Sequence, residues 1–200
     1  MPDFSYEQNA KQSGYKFVCG VDEAGRGPLA GPVCAAAVIL PEAVIIEGLN
    51  DSKKLSEKKR EALFDVITEK ALDYSIAYGT VEEIEQYNIL EATYIAMNRA
   101  INGLSVSVDF ALIDGNRVPK GIKIPCETVI KGDSKSYSIA AASVLAKVTR
   151  DRLMLEYDKK YPDYFFAKHK GYGTKLHYEA IAKHGICEIH RPSFLKNVLK

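Results

Sequence analysis

Short apolar runs alternate with amphipathic segments along this chain, and the alternation predicts an α/β protein. Residues 17–21 and 33–40 form continuous apolar runs of strand length. Because little chain separates the two runs, we expect them to pair as a hairpin. Three further strands are predicted at 74–80, 108–113 and 122–130, and Pro125 places the last of them at a sheet edge.

Helical segments are predicted from their caps and from a 3.6-residue apolar period. Ser56 caps a helix whose apolar positions are Ala62, Leu63, Val66, Ile67 and Ala71. The capping box Thr80-x-x-Glu83 opens what reads as one helix ending at Gly103. A long helix over 136–161 stops at Pro162, and a final helix spans 174–184. Residues 1–15 are polar and predict a loose segment or a short helix.

The composition favours a single domain. The chain has 200 residues, 46% of them apolar, which is enough for one core of its own. We expect a catalytic core over about 16–162 and a helical extension over about 163–200. The formal net charge is only +1, so a nucleic-acid binder would have to gather its Lys and Arg on one face.

Cysteine usage and the absence of targeting segments favour a cytoplasmic protein. The four cysteines form no C-x-x-C pair, and we interpret them as reduced thiols. The first residues resemble no signal peptide, and the longest apolar run is too short to span a bilayer. We therefore expect no membrane contact, no obligatory protein partner and a monomer.

Four acidic residues stand where strands or turns end. Asp22 and Glu23 follow the first predicted strand, and we expect that strand to end there, with the backbone turning at Gly25. Asp114 ends the strand 108–113, and Asp133 precedes the long helix. Taken singly, each has an ordinary explanation as a turn former or a helix N-cap.

As a set, these acids predict a metal site. Carboxylates that converge at one sheet edge repel each other unless they are protonated or bridged by a cation. Oxygen ligands of this kind suit Mg²⁺ or Mn²⁺, and a pair of such ions is a known way to run phosphodiester displacement.

Six sequence blocks along the chain belong together. The first is Gly20-Val21-Asp22-Glu23-Ala24-Gly25-Arg26-Gly27-Pro28-Leu29-Ala30-Gly31-Pro32. The others are 50–55, 113–116, 131–135, 141–147 and 169–174. In sequence and in order these blocks resemble one family, the type 2 ribonucleases H (ribonuclease HII). The resemblance implies the ribonuclease H-like fold, a five-stranded mixed sheet flanked by helices, with a C-terminal helical extension. It also implies a four-carboxylate metal site of Asp22, Glu23, Asp114 and Asp133.

The resemblance implies an endonuclease that hydrolyses the RNA strand of RNA–DNA hybrids. It would also nick DNA duplexes 5′ to embedded ribonucleotides, using Mn²⁺ or Mg²⁺, with two ions when substrate is bound. We expect 5′-phosphate and 3′-hydroxyl ends, since water and not the ribose 2′-OH attacks. In the family, the loop Gly25-Arg26-Gly27 and Tyr172 together recognise the ribonucleotide. We expect a row of polar and basic side chains to contact the phosphates of the substrate. Apart from further lysines, it comprises Ser52, Lys53, Lys54, Ser134, Lys135 and Lys170.

Other interpretations are weaker. Gly25-x-Gly27 resembles a dinucleotide-binding loop, but the next apolar run, 33–40, looks like a strand where that fingerprint needs a helix. His177, His184, Cys187 and His190 fit no standard zinc spacing. A hybrid-binding module without activity would need one of the four carboxylates to be missing.

The two ends of the chain were compared with the extra domain of type 3 ribonucleases H and with motifs that bind a sliding clamp. The type 3 relatives carry an N-terminal substrate-binding domain, for which residues 1–16 leave no room. Residues 194–200 show no sliding-clamp motif, and recruitment by a clamp stays open.

Overall fold

The computed structural model describes residues 1–196 and contains a five-stranded mixed sheet. The strands lie in the order β3-β2-β1-β4-β5. β1 pairs antiparallel with β2 and parallel with β4, which confirms the predicted hairpin. β5 lies at an edge, as Pro125 indicated. Their bounds are Val18–Ala24 (β1), Val33–Ile39 (β2), Asp73–Gly79 (β3), Phe110–Asp114 (β4) and Cys126–Val129 (β5).

Helices cover both faces of the sheet, as the resemblance implied. α2 and α5 pack on one face, where the alanine-rich start of α5 allows close approach, and α4 packs on the other. Gly20 shows how close α5 lies, since an added Cβ would stand 2.2 Å from the carbonyl carbon of Ser138. The helices are Ser5–Gln12 (α1), Glu57–Lys70 (α2), Val81–Tyr87 (α3), Ile89–Asn102 (α4), Tyr137–Lys160 (α5), Phe166–His169 (α6) and Lys175–His184 (α7).

Two predicted boundaries were wrong. β1 does not end before Asp22 but runs on to Ala24, because its backbone stays paired with β2 through Cys34. The single helix expected from Thr80 to Gly103 is two helices. Asn88 separates them at φ 84°, a backbone conformation that no α-helix contains, and its side chain caps α4.

The long helix α5 is capped by Ser136 and not by Asp133. The Ser136 side chain accepts a hydrogen bond from the Ile139 backbone N–H, so Ser136 is the N-cap. Asp133 lies in a short 3₁₀ turn, Gly132–Ser134, ahead of that cap. Its carboxylate therefore makes no capping bond to α5.

The C-terminal helices enclose a second, smaller core beside the end of α5. Phe166, Ile181 and Leu195 are buried there with the Met154 side chain of α5. His177 and His190 are buried in the same region, with their Nε2 atoms 3.0 Å apart. The clamp-motif interpretation of residues 194–200 falls partly outside the described chain.

Candidate active site

The first two carboxylates leave β1 on opposite faces of the sheet. Asp22 pairs with Ala36 and Glu23 with Ala35 in the β1–β2 ladder, and successive side chains of a strand alternate in direction. Asp22 is only 4% exposed and lies on the α5 face. Glu23 instead borders a cavity on the α4 face, with Thr93 and Met97.

The other two carboxylates meet beside the start of α5. Asp114 is the last residue of β4, and its Oδ1 accepts a hydrogen bond of 2.6 Å from the Gly132 backbone N–H. Asp133 is the next residue along that turn and is 5% exposed. Asp114 also borders the cavity that holds Glu23, so it links the two faces of the sheet.

Burial and mutual repulsion act on these acids together. Burial raises the pKa of Asp22 well above its ordinary value, and the charges of Glu23 and Asp114 add to the rise. Burial also raises the pKa of Glu23, against the opposing charge of Arg26. The pKa of Asp133 is raised by burial too, partly offset by Lys53. The four acids therefore form one group of like charges that a cation would stabilise.

Two basic side chains already contact this group. Lys53 Nζ lies 3.3 Å from Asp133 Oδ2, and Arg26 Nη1 lies 3.3 Å from Glu23 Oε1. Lys53 stands on a 3₁₀ turn, Ser52–Lys54, which the Asp51 side chain caps by accepting from the Lys53 N–H. Burial lowers the pKa of Lys53, but Asp133 and Asp22 outweigh it and the net pKa is raised.

The donor set is chemically suited to a hard divalent cation, although its geometry is open. Among residues 1–196, no group of three or more carboxylate, imidazole or thiolate side chains is arranged to enclose an ion. All four acidic side chains offer oxygen, the ligand that Mg²⁺ and Mn²⁺ take. The identity of the donors fits such an ion. Their present partners are the backbone N–H groups of Glu23 (for Asp22) and Gly132 (for Asp114), the Lys53 ammonium and the Arg26 guanidinium.

The loop after β1 lies next to Tyr172. A Cβ built on Gly27 would be 3.7 Å from Tyr172 Cε1, and the tyrosine is 43% exposed. Lys147 Nζ lies 5.9 Å from the centre of the same ring. The structure thus brings together Gly27 and Tyr172, which are far apart in the sequence.

Two buried arginines hold this loop, and the sequence did not reveal them. Arg150 and Arg191 are 1% and 0% exposed. Arg150 Nε would lie 2.0 Å from a Cβ on Gly25, which has φ +96°. Arg191 donates four hydrogen bonds to backbone carbonyl oxygens, those of Gly25, Arg26, Pro28 and Gly31, at 2.7 to 3.1 Å. A lone Arg before a proline carries no sequence signal of such a role.

The remaining predicted substrate-binding residues differ in exposure. Ser52 is buried, and Lys170 Nζ donates to the Ala167 carbonyl oxygen within the protein. Ser134 is half-buried and donates to the carbonyl oxygen of Lys131. The exposed side chains are those of Lys53, Lys54 and Lys135. Lys54 and Ser134 border the same cavity as Asp114 and Asp133.

The family model for ribonuclease HII matches residues 19–197. The chain belongs to the ribonuclease HII family. Members of this family are metal-dependent ribonucleases H, hydrolases that act on RNA–DNA hybrids, and this chain is one of them. The ribonuclease HII of Clostridioides difficile strain 630 is 58% identical over 194 residues, which is 97% of this chain and 76% of that protein.

Solved structures of other ribonucleases H resemble the fold of this chain. The ribonuclease H2 of Pyrococcus horikoshii OT3 superposes with a TM-score of 0.77 at 27% identity, over 92% of this chain and 97% of that one. Bst-RNase HIII in complex with Mn²⁺ gives a TM-score of 0.72 at 18% identity, over 95% and 71%, which shows the shared fold. The predicted ribonuclease H-like fold is confirmed.

Within residues 1–196, no helix combines the length and the apolar character needed to cross a bilayer.

Proposed function

We propose that this ribonuclease H cleaves by two-metal-ion catalysis, with Asp22, Glu23, Asp114 and Asp133 holding the ions. It would nick duplex DNA 5′ to an embedded ribonucleotide and leave 5′-phosphate and 3′-hydroxyl ends. The observation that carries the proposal is the gathering of four like-charged carboxylates at one end of the sheet, where burial penalises the charge of Asp22, Glu23 and Asp133. Mn²⁺ and Mg²⁺ both suit this set.

The positions of the four acids assign them different roles as metal ligands. Asp22 and Asp114 lie on adjacent parallel strands, so they are the main ligands, with Glu23 and Asp133 flanking them. When bound, a pair of ions supplies activation of the attacking water and stabilisation of the leaving 3′ oxygen. With ions bound, Lys53 would no longer pair with Asp133, nor Arg26 with Glu23. Both basic side chains could then contact the phosphates of the substrate.

Recognition of the ribonucleotide is assigned to the loop and the tyrosine together. Within Gly25-Arg26-Gly27, the backbone at Gly27 can approach a sugar closely, because Gly27 is exposed and has no side chain, whereas Arg150 fills the space beside Gly25. The 2′-OH is both donor and acceptor, so it can bond to the backbone and to the Tyr172 hydroxyl. The Tyr172 ring, adjacent to Gly27, has a free face for the neighbouring sugar or base.

The test uses a labelled DNA duplex with one ribonucleotide, incubated with Mn²⁺, Mg²⁺ or EDTA. Wild type should nick 5′ to the ribonucleotide only with metal, and Asp114→Asn should lose this activity. Glu127→Gln removes an exposed carboxylate on the neighbouring strand and should cut normally. The ends are identified by mass spectrometry.

Two results would overturn the proposal. A product with a 2′,3′-cyclic phosphate would mean that the ribose 2′-OH is the nucleophile. Full activity of Asp114→Asn in Mn²⁺ would remove Asp114 from the ligand set and with it the proposed metal arrangement.

A further inference from the structure

The N-terminal helix, which precedes the matched residues 19–197, contacts the start of α5 through a buried carboxylate. Glu7 is 5% exposed. Its Oε1 accepts hydrogen bonds from the Ser136 hydroxyl at 2.6 Å, the Ser138 hydroxyl at 2.5 Å and the Ser138 N–H at 2.9 Å. A carboxylate here satisfies free N–H groups at a helix N-terminus and interacts favourably with its dipole.

Glu7 is costly to bury. Its second oxygen, Oε2, is buried with no hydrogen-bond partner. Within residues 1–196, no Lys, Arg or His forms an ion pair with it. Burying a carboxylate without a cation opposes folding, and the hydrogen bonds from Ser136 and Ser138 are what offset that cost, so Glu7 depends on the start of α5 as its partner.

Backbone contacts of the same segment reinforce the attachment. The Asp3 N–H donates to the Lys135 carbonyl oxygen at 3.0 Å, and the Asp3 carbonyl accepts from the Tyr137 N–H at 2.9 Å. The rings of Phe4 and Tyr137 lie 4.7 Å apart between centres. The N-terminal segment thus holds residues on both sides of Ser136.

From Ser136 the contacts lead directly to the proposed metal ligands. The N–H groups of Lys135 and Ser136 both donate to the Gly132 carbonyl oxygen, at 2.9 and 2.8 Å. The Gly132 N–H donates to Asp114, and Asp133 is the next residue. Gly132 packs closely against its neighbours, since an added Cβ would lie 2.6 Å from Ile139 Cδ1 and 3.3 Å from Asp114 Oδ1. The position of this turn therefore depends on what holds Ser136.

We propose that Glu7 is a positioning residue for the ribonuclease reaction. It fixes residues 132–138 and thereby sets Asp133 relative to Asp114, which determines how tightly the site binds divalent ions. The inference rests on the proposed function, because it takes Asp114 and Asp133 as ligands.

The experiment measures Mn²⁺ binding by isothermal titration calorimetry, with no substrate, and the Mn²⁺ dependence of cleavage in parallel. Glu7→Ala should weaken Mn²⁺ binding by about tenfold or more, the usual loss when a residue that orients a ligand is removed. At saturating Mn²⁺ its kcat should recover to near that of wild type. Glu7→Gln keeps an acceptor oxygen and should bind Mn²⁺ more nearly as wild type does.

A matched control removes another contact of the same helix. Lys11 of α1 donates to the exposed Glu42 at 2.6 Å. Glu42→Gln breaks this contact without touching residues 132–138, and its Mn²⁺ affinity should be unchanged. If Glu7→Ala fails to fold, Ser138→Ala removes one bond at the same contact and should weaken Mn²⁺ binding by a smaller factor.

The outcomes separate this inference from the proposed function. A Glu7→Ala protein that melts earlier but binds Mn²⁺ with wild-type affinity would overturn the positioning role. If Asp114→Asn also keeps wild-type Mn²⁺ affinity, the ligand set itself is wrong. Loss of binding in Asp114→Asn with no change in Glu7→Ala would overturn only the present inference.

Discussion

Acid should destabilise this protein through its buried histidine pair. His177 Nδ1 lies 2.9 Å from the Tyr172 carbonyl oxygen, so this nitrogen carries a proton and donates it. In the neutral ring, Nε2 is then an acceptor, and His190 Nε2 donates to it at 3.0 Å. His190 Nδ1 accepts from the Cys187 N–H at 2.9 Å. An added proton on His177 would set two N–H groups against each other, and one on His190 Nδ1 would find only the Cys187 sulfur, a weak acceptor, at 3.1 Å.

The size of the effect depends on the pKa values. Burial lowers the pKa of His177 and of His190 from 6.5 to about 4. Between these values the unfolded chain binds protons that the folded protein does not, so stability falls as the pH drops below 6.5 and the full loss is reached below 4. A pH of 5 lies about 1.5 units below the pKa of 6.5 in the unfolded chain. The free energy of unfolding is therefore lower by about 2 kcal/mol for each histidine at that pH.

The measurement is urea unfolding at pH 8 and pH 5 for wild type, His190→Gln and His184→Gln. His190→Gln removes one member of the pair, and its loss of unfolding free energy between the two pH values should be smaller by about 2 kcal/mol. His184 is an exposed imidazole at the end of α7, and His184→Gln should lose as much as wild type.

Equal losses in wild type and His190→Gln would refute the reasoning. That outcome would mean that the imidazole of His190 titrates alike in the folded and the unfolded chain. A cleavage assay of the same variants at pH 8 adds a second readout. It reports on Tyr172, because the Tyr172 carbonyl oxygen is bonded to His177, the partner of His190.

Three further changes test other parts of the structure. Gly20→Ala should lower the unfolding free energy by about 3 kcal/mol, because its Cβ would stand 2.2 Å from Ser138; thermal melting checks this. Lys53→Ala should weaken hybrid binding and reduce the slope of log K against log salt by about 1, measured by fluorescence anisotropy. Arg191→Lys should cost about 3 kcal/mol by urea unfolding and relax discrimination for a ribonucleotide, whereas Arg152→Lys, at the surface, should do neither.

Much of the fold was predictable from local sequence. The first two apolar runs form the predicted hairpin, and the alanine-rich helix that begins after Ser136 packs on the sheet. Pro125 correctly indicated an edge strand. These features depend on residues close together in the chain, where periodicity and caps act.

Errors arose where tertiary pairing outweighed local signals. The run Asp22-Glu23 looked like the end of a strand, yet β1 continues because β2 offers partners for its backbone. As a result the two acids lie on opposite faces of the sheet. The break at Asn88 was missed because the apolar period continues across it.

The sequence by itself determined the family, because the matching blocks are long and in register, and from the same blocks it predicted the four acids as a metal site. Only the tertiary structure showed which side chains hold the segments next to these acids in place. Arg191 holds the loop at Gly25, and Glu7 holds the start of α5. These contacts join residues more than a hundred positions apart, and each depends on burial of a charged group. No local pattern encodes such a partnership, because it arises only when the folded chain removes both groups from water.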